Sequence, residues 1–359
     1  MSHPYKDLPP KAFWRSAVSD RSAFQIKELW DPKYRIRKRT RIATAGSCFA
    51  QHFSKALVAR GYHWVNAEPA PEGLPDHRHA DYHFGTFSFR TGNIYTVKML
   101  RQWMEWALTD TPMPEVFWHR ENRVYDPFRP AIEPGGFASE DEVRASRRIT
   151  LAAISEAVRN CDVFVFTMGL TEGWRDRESD LEFAICPGTA AGDFDTARHV
   201  FANPTIRQIQ RDLRAALKLM RQANPTLQVL LTVSPVPLVA TASGQHVLTA
   251  TSFSKATLRA VAGEMAIAAA YVDYFPSFEI ISNPVFRGMF YAPNQRNVDQ
   301  TGVDFVMQSF FECQAAKFQP DTTASDQPVR PRRAVQTDKT ADEQDDIRCE
   351  EEILNAFAK

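Results

Sequence analysis

Apolar residues in this chain follow two rhythms that alternate along its length. Four short runs are nearly continuously apolar: Ile42-Ala43-Thr44-Ala45, Asp162-Val163-Phe164-Val165-Phe166-Thr167, Leu227 to Val233, and Tyr271 to Phe275. Such runs suit strands covered on both faces of a sheet. Between them, apolar positions recur every three to four residues, the helical period. The stretch Phe49 to Leu57 is one such segment. Asn93 to Leu108 is a second, with Ile94, Val97, Leu100, Met104 and Leu108 in register. Ser139 to Arg159 opens on a capping box at Ser139 and Glu142, with Val143, Ile149, Ala153 and Val158 along one side. Further helices are expected from Asn203-Pro204 to Ala223, from Ser254 to Ala270 and from Val303 to Ala316. Alternating strands and helices imply right-handed crossovers. The expected fold is therefore α/β, a three-layer α/β/α sandwich on a mostly parallel sheet, with a long insert after the first βα unit.

The rest is less regular. Residues 1–40 read as an irregular arm, and 41–318 as one domain. Tyr62-His63-Trp64-Val65 is expected to be a short second strand, and 67–92 to be loop. The Pro- and aromatic-rich insert 110–138 holds candidate strands at Val116-Phe117-Trp118 and Arg123-Val124-Tyr125. Residues 319–346, poor in large apolar side chains, read as a disordered linker. Residues 347–359 read as a short helix with Ile353, Leu354 and Phe357 on one side, expected to contact a partner or the domain itself.

Composition narrows the class of function. Acidic and basic residues balance at 43 each, so no global field favours nucleic acid. The basic run 33–41 reads as a solvated approach to the first strand in preference to a phosphate site. No apolar run is long enough to span a bilayer, and the first residues carry no hydrophobic signal core. The five cysteines are widely spaced and contain no C-x-x-C pair, which argues against a disulfide framework and against zinc. A cytoplasmic location is the simplest expectation. His77 and His79 form an H-x-H pair without a third ligand in reach, so no metal and no cofactor is expected.

Ligands of parallel sheets sit beyond the carboxyl ends of the strands. Four polar or Gly-containing segments fall there: Gly46-Ser47-Cys48, Thr167 to Trp174, Thr232-Val233-Ser234-Pro235-Val236-Pro237, and Tyr291 to Val298. At the first, two nucleophile-capable side chains, Ser47 and Cys48, stand where a strand turns into a helix. Free backbone amides and the helix dipole favour developing negative charge at such a place. A thiol held there is easier to ionise than one in water. Alternatively, Ser47 is simply a helix cap and Cys48 a small buried residue.

Taken together, these segments resemble the GSCFA-domain family. Its namesake letters are Gly46-Ser47-Cys48-Phe49-Ala50, and the resemblance continues through Phe89 to Thr96, Gly169-Leu170-Thr171-Glu172, Val233 to Pro237, Ser254 to Arg259 and Tyr274 to Glu279. It covers about residues 40–312. It implies a relation to the SGNH, or GDSL-like, hydrolases, a flavodoxin-like sandwich, and cleavage or transfer of acyl groups on a small-molecule or carbohydrate substrate. On that resemblance Cys48 falls on the nucleophile and Ser47 on the residue before it. Gly92 with Asn93, and Gly169 with Thr171, fall on the blocks that face the oxyanion. The Asp-x-x-His of the resembled enzymes has no counterpart, since no histidine follows His246. The base is sought in His246, ahead of His83 beside Asp81, with Glu172 a third candidate. The reading is an acyl-ester hydrolase or acyltransferase. The alternative is a non-catalytic module that binds a glycan or acyl ligand in a hydrolase-like pocket.

Overall fold

Burial on both faces decides where the strands form. The structure, a computed structural model, describes residues 3–318 and 349–358. The chain divides into two compact units, Arg37–Tyr274 with Asp345–Lys359, and Met1–Ile36 with Phe275–Gln344. The larger unit runs β1 (Ile42–Gly46), α1 (Phe49–Ala59), α2 (Val97–Leu108), β2 (Trp118–Arg120), β3 (Arg123–Tyr125) and α3 (Glu140–Asn160). It continues through β4 (Val163–Met168), β5 (Gly173–Asp176), β6 (Glu182–Phe183), β7 (His199–Ala202), α4 (Ile206–Ala223), β8 (Gln228–Val233), α5 (Val247–Ala268) and β9 (Val272–Tyr274).

The central sheet is wholly parallel, in the order β1-β4-β8-β9, and is flanked by helices, the α/β arrangement expected. Every residue of β1, β4 and β9 is buried. In register, Gly46 faces Thr167, and Thr167 faces Thr232, so the strand ends line up along one edge. All-parallel pairing of this kind places the loops that follow β1, β4 and β8 side by side.

Several boundaries differ from expectation for identifiable reasons. Helix α2 starts at Val97, not Asn93, because Thr96 caps it by accepting the Met99 amide at 3.1 Å. Residues 93–96 instead bind the strand ends. Helix α5 starts at Val247, earlier than Ser254, because His246 Nδ1 accepts the Leu248 amide at 3.2 Å and caps it. The 62–65 strand shrinks to one bridge, Ile42 with Trp64, and the first strand of the insert shifts to Trp118–Arg120. A second antiparallel sheet, β6-β5-β7, was not foreseen. Its strands are two to four residues long, and β7 is only half buried, so no continuous apolar run marks them.

The insert rests on a buried charge cluster. Asp126 takes Arg129 Nε at 2.8 Å and Arg147 at 2.8 Å, and none of the three side chains is more than 4 % exposed. Burial alone would raise the Asp126 carboxyl, but Arg147 and Arg129 outweigh it and hold the carboxyl below its ordinary range.

The smaller unit contains α6 (Ser277–Ser282) and α7 (Gln300–Lys317), capped by Asp299 on the Gly302 amide at 2.7 Å. Part of the expected N-terminal arm packs here. Trp30 stacks on Phe310 at 5.2 Å and meets Phe275 edge-on at 5.3 Å. The expected linker 319–346 lies outside the described residues. Glu350–Phe357 form a 3-10 helix in the larger unit. No described helix is long and apolar enough to cross a membrane.

Candidate active site

The turn after β1 depends on a glycine. Gly46 has φ +136°, and a Cβ there would run into the carbonyl of Thr167. With none present, the Ser47 amide donates to Thr167 O at 2.9 Å. Ala50 N then donates to Ser47 O at 2.9 Å and Gln51 N to Cys48 O at 3.1 Å, which starts α1. Cys48 therefore stands in the first turn, in helical conformation, with 5 % of its surface exposed. Ser47 Oγ is buried and has no hydrogen-bond partner among the described residues.

A loop from the 87–96 region closes over this edge. Ile94 N donates to Gly46 O at 2.8 Å, and Tyr95 O accepts the amides of Gly169 and Leu170 at 3.0 and 3.1 Å. From α5, the buried Lys255 donates its Nζ to Gly169 O at 2.5 Å. After β8, the Ser234 amide reaches Met168 O at 2.9 Å. Ser47, Cys48, Tyr95, Gly169, Ser234, Lys255 and Glu351 together line a cavity of about 10 Å³. That is close to the smallest space that holds one water. No imidazole lines it.

The candidate oxyanion groups separate into two sets. Asn93 donates both its backbone amide, at 3.3 Å, and its side-chain Nδ2 to the carboxylate of Glu350. Gly92 leaves room for that carboxylate, since a Cβ there would stand 2.8 Å from Glu350 Oε1. By contrast the Gly169 amide is taken by Tyr95 O. Thr171 Oγ1 donates to Asn203 Oδ1 at 2.7 Å, and its amide goes to Ser254 Oγ at 2.9 Å. Gly169 and Thr171 thus brace the loop.

Tyr95 lies in the Phe89 to Thr96 stretch, where nothing in the sequence marks its hydroxyl as part of the site. Its hydroxyl donates to Glu350 Oε2 at 2.9 Å, lies 3.4 Å from Cys349 Sγ, and accepts the Glu351 amide at 3.4 Å. Burial first, and then the acidic side chains Cys349, Glu350, Glu351 and Cys48 around it, push the phenol well above its ordinary range. Near neutral pH the phenol therefore stays protonated. Lys255 was also missed as a site residue. It lies in the quoted Ser254 to Arg259 stretch, and a lysine amid a helix gives no signal that it is buried.

The candidate bases lie as follows. His246 is exposed, caps α5 and does not line the Cys48 cavity, because α5 begins one residue after it. His83 is buried in a left-handed conformation (φ 58°) at the end of a short 3-10 turn. Glu172 lines the adjoining pocket, and Thr241 Oγ1 donates to its Oε1 at 2.7 Å. Burial pushes the Glu172 carboxyl above its ordinary value. Among the described residues, no three His, Cys, Asp or Glu side chains are grouped to hold a metal ion.

Residues 41–310 match the model of the GSCFA family. No curated protein matches the chain. Among solved structures it is similar to an acetyl esterase variant crystallised with acetate ion, at 12 % identity and a TM-score of 0.32, over 77 % of this chain and 99 % of that one. It is also similar to a carbohydrate esterase family 3 protein from Talaromyces cellulolyticus, at 12 % identity and a TM-score of 0.32, over 76 % of this chain and 94 % of that one.

Proposed function

The chain belongs to the GSCFA family, and on that premise we propose that it is an acyl-ester hydrolase or acyltransferase whose nucleophile is the Cys48 thiol. What supports the reading is a cluster of donors already engaged with a carboxylate, the Asn93 amide, Asn93 Nδ2 and the Tyr95 hydroxyl on Glu350, of which Tyr95 also lines the Cys48 cavity. Donors that hold a carboxylate suit the oxygen of a tetrahedral acyl intermediate, which carries similar charge.

In this mechanism Cys48 sulfur attacks the acyl carbonyl carbon and the carbonyl oxygen takes the electron pair. Asn93 and Tyr95 donate to that oxygen. Collapse of the intermediate breaks the C–O bond, the leaving oxygen takes up the proton that the thiol gave up and departs as the alcohol, and a thioester stays on Cys48. Water or a second alcohol then attacks the thioester and releases the thiol. Lys255 places a buried Nζ donor on the same cavity, and the α1 N-terminus adds its amides and dipole, which favour developing negative charge.

Cys48→Ala abolishes both ester turnover and covalent labelling by an electrophilic acyl probe on this reading. Labelling that persists in the variant, or moves to Cys161, removes Cys48 from the mechanism. One observation favours the second reading, a binding module: no histidine lines the Cys48 cavity. Equal ligand affinity of Cys48→Ala and the parent, with no turnover by either, selects it.

A further inference from the structure

Next to the Cys48 cavity lies a larger one of about 330 Å³. The two share Tyr95, Leu170, Leu238 and Glu351, so they adjoin. The larger cavity is walled by Met99, Leu170, Trp174, Phe183, Ile185 and Leu238, and is mostly apolar. The C-terminal 3-10 helix spans both. Glu350 sets its carboxylate on Asn93 and Tyr95, while Leu354 and Phe357 form part of the apolar wall. A carboxylate head on the donors with apolar groups along the neighbouring pocket is the chemical outline of a fatty acyl group.

We propose that the apolar cavity is an acyl-chain subsite for a medium-length chain, whose carboxyl head takes the position Glu350 now holds. This rests on the acyl-transfer reading of the Cys48 site and names its substrate class. The volume supports the length. At about 330 Å³ against about 10 Å³ for the Cys48 cavity, the apolar cavity has room for a chain of several methylenes. An acetyl group would leave the cavity unfilled. Each buried methylene raises affinity roughly fourfold. The residues from Cys349 on compete for the same head position, so the carboxylate of Glu350 must leave before a substrate head enters.

The test is calorimetric titration of the full chain with octanoate and with acetate. Octanoate is expected to bind at least about a hundredfold tighter than acetate, since six added methylenes at the rate above exceed that even with partial burial. Glu350→Ala removes the competing carboxylate and is expected to bind octanoate several-fold tighter. Ala242→Trp, on the exposed rim of the pocket, fills it and is expected to cancel the octanoate advantage while the melting temperature is retained. Octanoate binding no tighter than acetate, or a preference that survives Ala242→Trp, overturns the subsite. Unchanged or weaker octanoate binding by Glu350→Ala overturns the head position. Octanoate binding without turnover of octanoyl or acetyl esters keeps the subsite and sinks only the esterase reading. Turnover of acetyl esters that is lost in Cys48→Ala, with no gain for octanoyl esters, does the reverse.

Discussion

Replacing Gly46 by alanine tests the turn that presents Cys48. The residue sits at φ +136°, and an added Cβ meets the carbonyl, carbon and nitrogen of Thr167, all backbone atoms that cannot rotate away. The forced conformation costs about 1–3 kcal/mol. Relief requires β1 and β4 to part locally, which loosens the Ser47 amide bond to Thr167 O, worth about 1 kcal/mol. Crowding in a close-packed sheet adds about 1–3 kcal/mol. The expected loss is therefore roughly 3–7 kcal/mol, a large part of the 5–15 kcal/mol that stabilises a typical domain. Gly61→Ala is the control, because that glycine also has positive φ (72°) but nothing lies within 4 Å of the added carbon. Its expected cost is about 1 kcal/mol. Equilibrium urea unfolding followed by circular dichroism measures both. A Gly46→Ala variant within 1 kcal/mol of the parent, or no worse than Gly61→Ala, refutes the close-approach argument.

Two further outcomes follow from buried charge. His52 in α1 is lowered from 6.5 to about 3, mainly by burial and then by Lys55. A depressed histidine stabilises the fold fully above pH 6.5, and this contribution is lost as pH falls from 6.5 towards 3. At pH 5 the loss is up to about 2 kcal/mol. Thermal melts between pH 7 and 5 check this, and His52→Gln should flatten the slope across that range. Arg147→Met leaves Asp126 with Arg129 alone in a dry site and should cost about 3–5 kcal/mol in urea unfolding. A loss under 1 kcal/mol would show that Arg129 suffices.

The parallel sheet was legible because burial on both faces writes itself as uninterrupted apolar runs. Runs beginning at Ile42, Val163 and Leu227 became the strands that hold the site. The antiparallel sheet of β5, β6 and β7 was not, because Gly173–Asp176 and His199–Ala202 pack only partly and mix apolar with charged residues. Helix starts were misjudged where a side chain does the capping. Thr96 and His246 set the starts of α2 and α5, and neither interrupts the apolar period. Asn93 was legible from the resemblance alone. Its engagement with Glu350 joins residues 257 positions apart. No local pattern carries such a pairing, and the same holds for Lys255 on Gly169, 86 positions away.

The pairing of β1 with β4 bears on when the Gly46-Ser47-Cys48 turn comes into being. Arg41 and Asp162, just ahead of the two strands, are linked across 121 positions by a bond from the Arg41 amide at 2.8 Å. Apart from β1 itself, nothing between them in sequence belongs to the central sheet. Closing so long a loop is slow, because chain entropy is surrendered before the contacts reward it. During refolding, then, Ser47 and Cys48 acquire their geometry only after β4 has docked. A thiol-protection experiment timed along the refolding reaction would see Cys48 become shielded in step with the sheet, and a fragment ending before residue 163 would leave it as reactive as a free thiol.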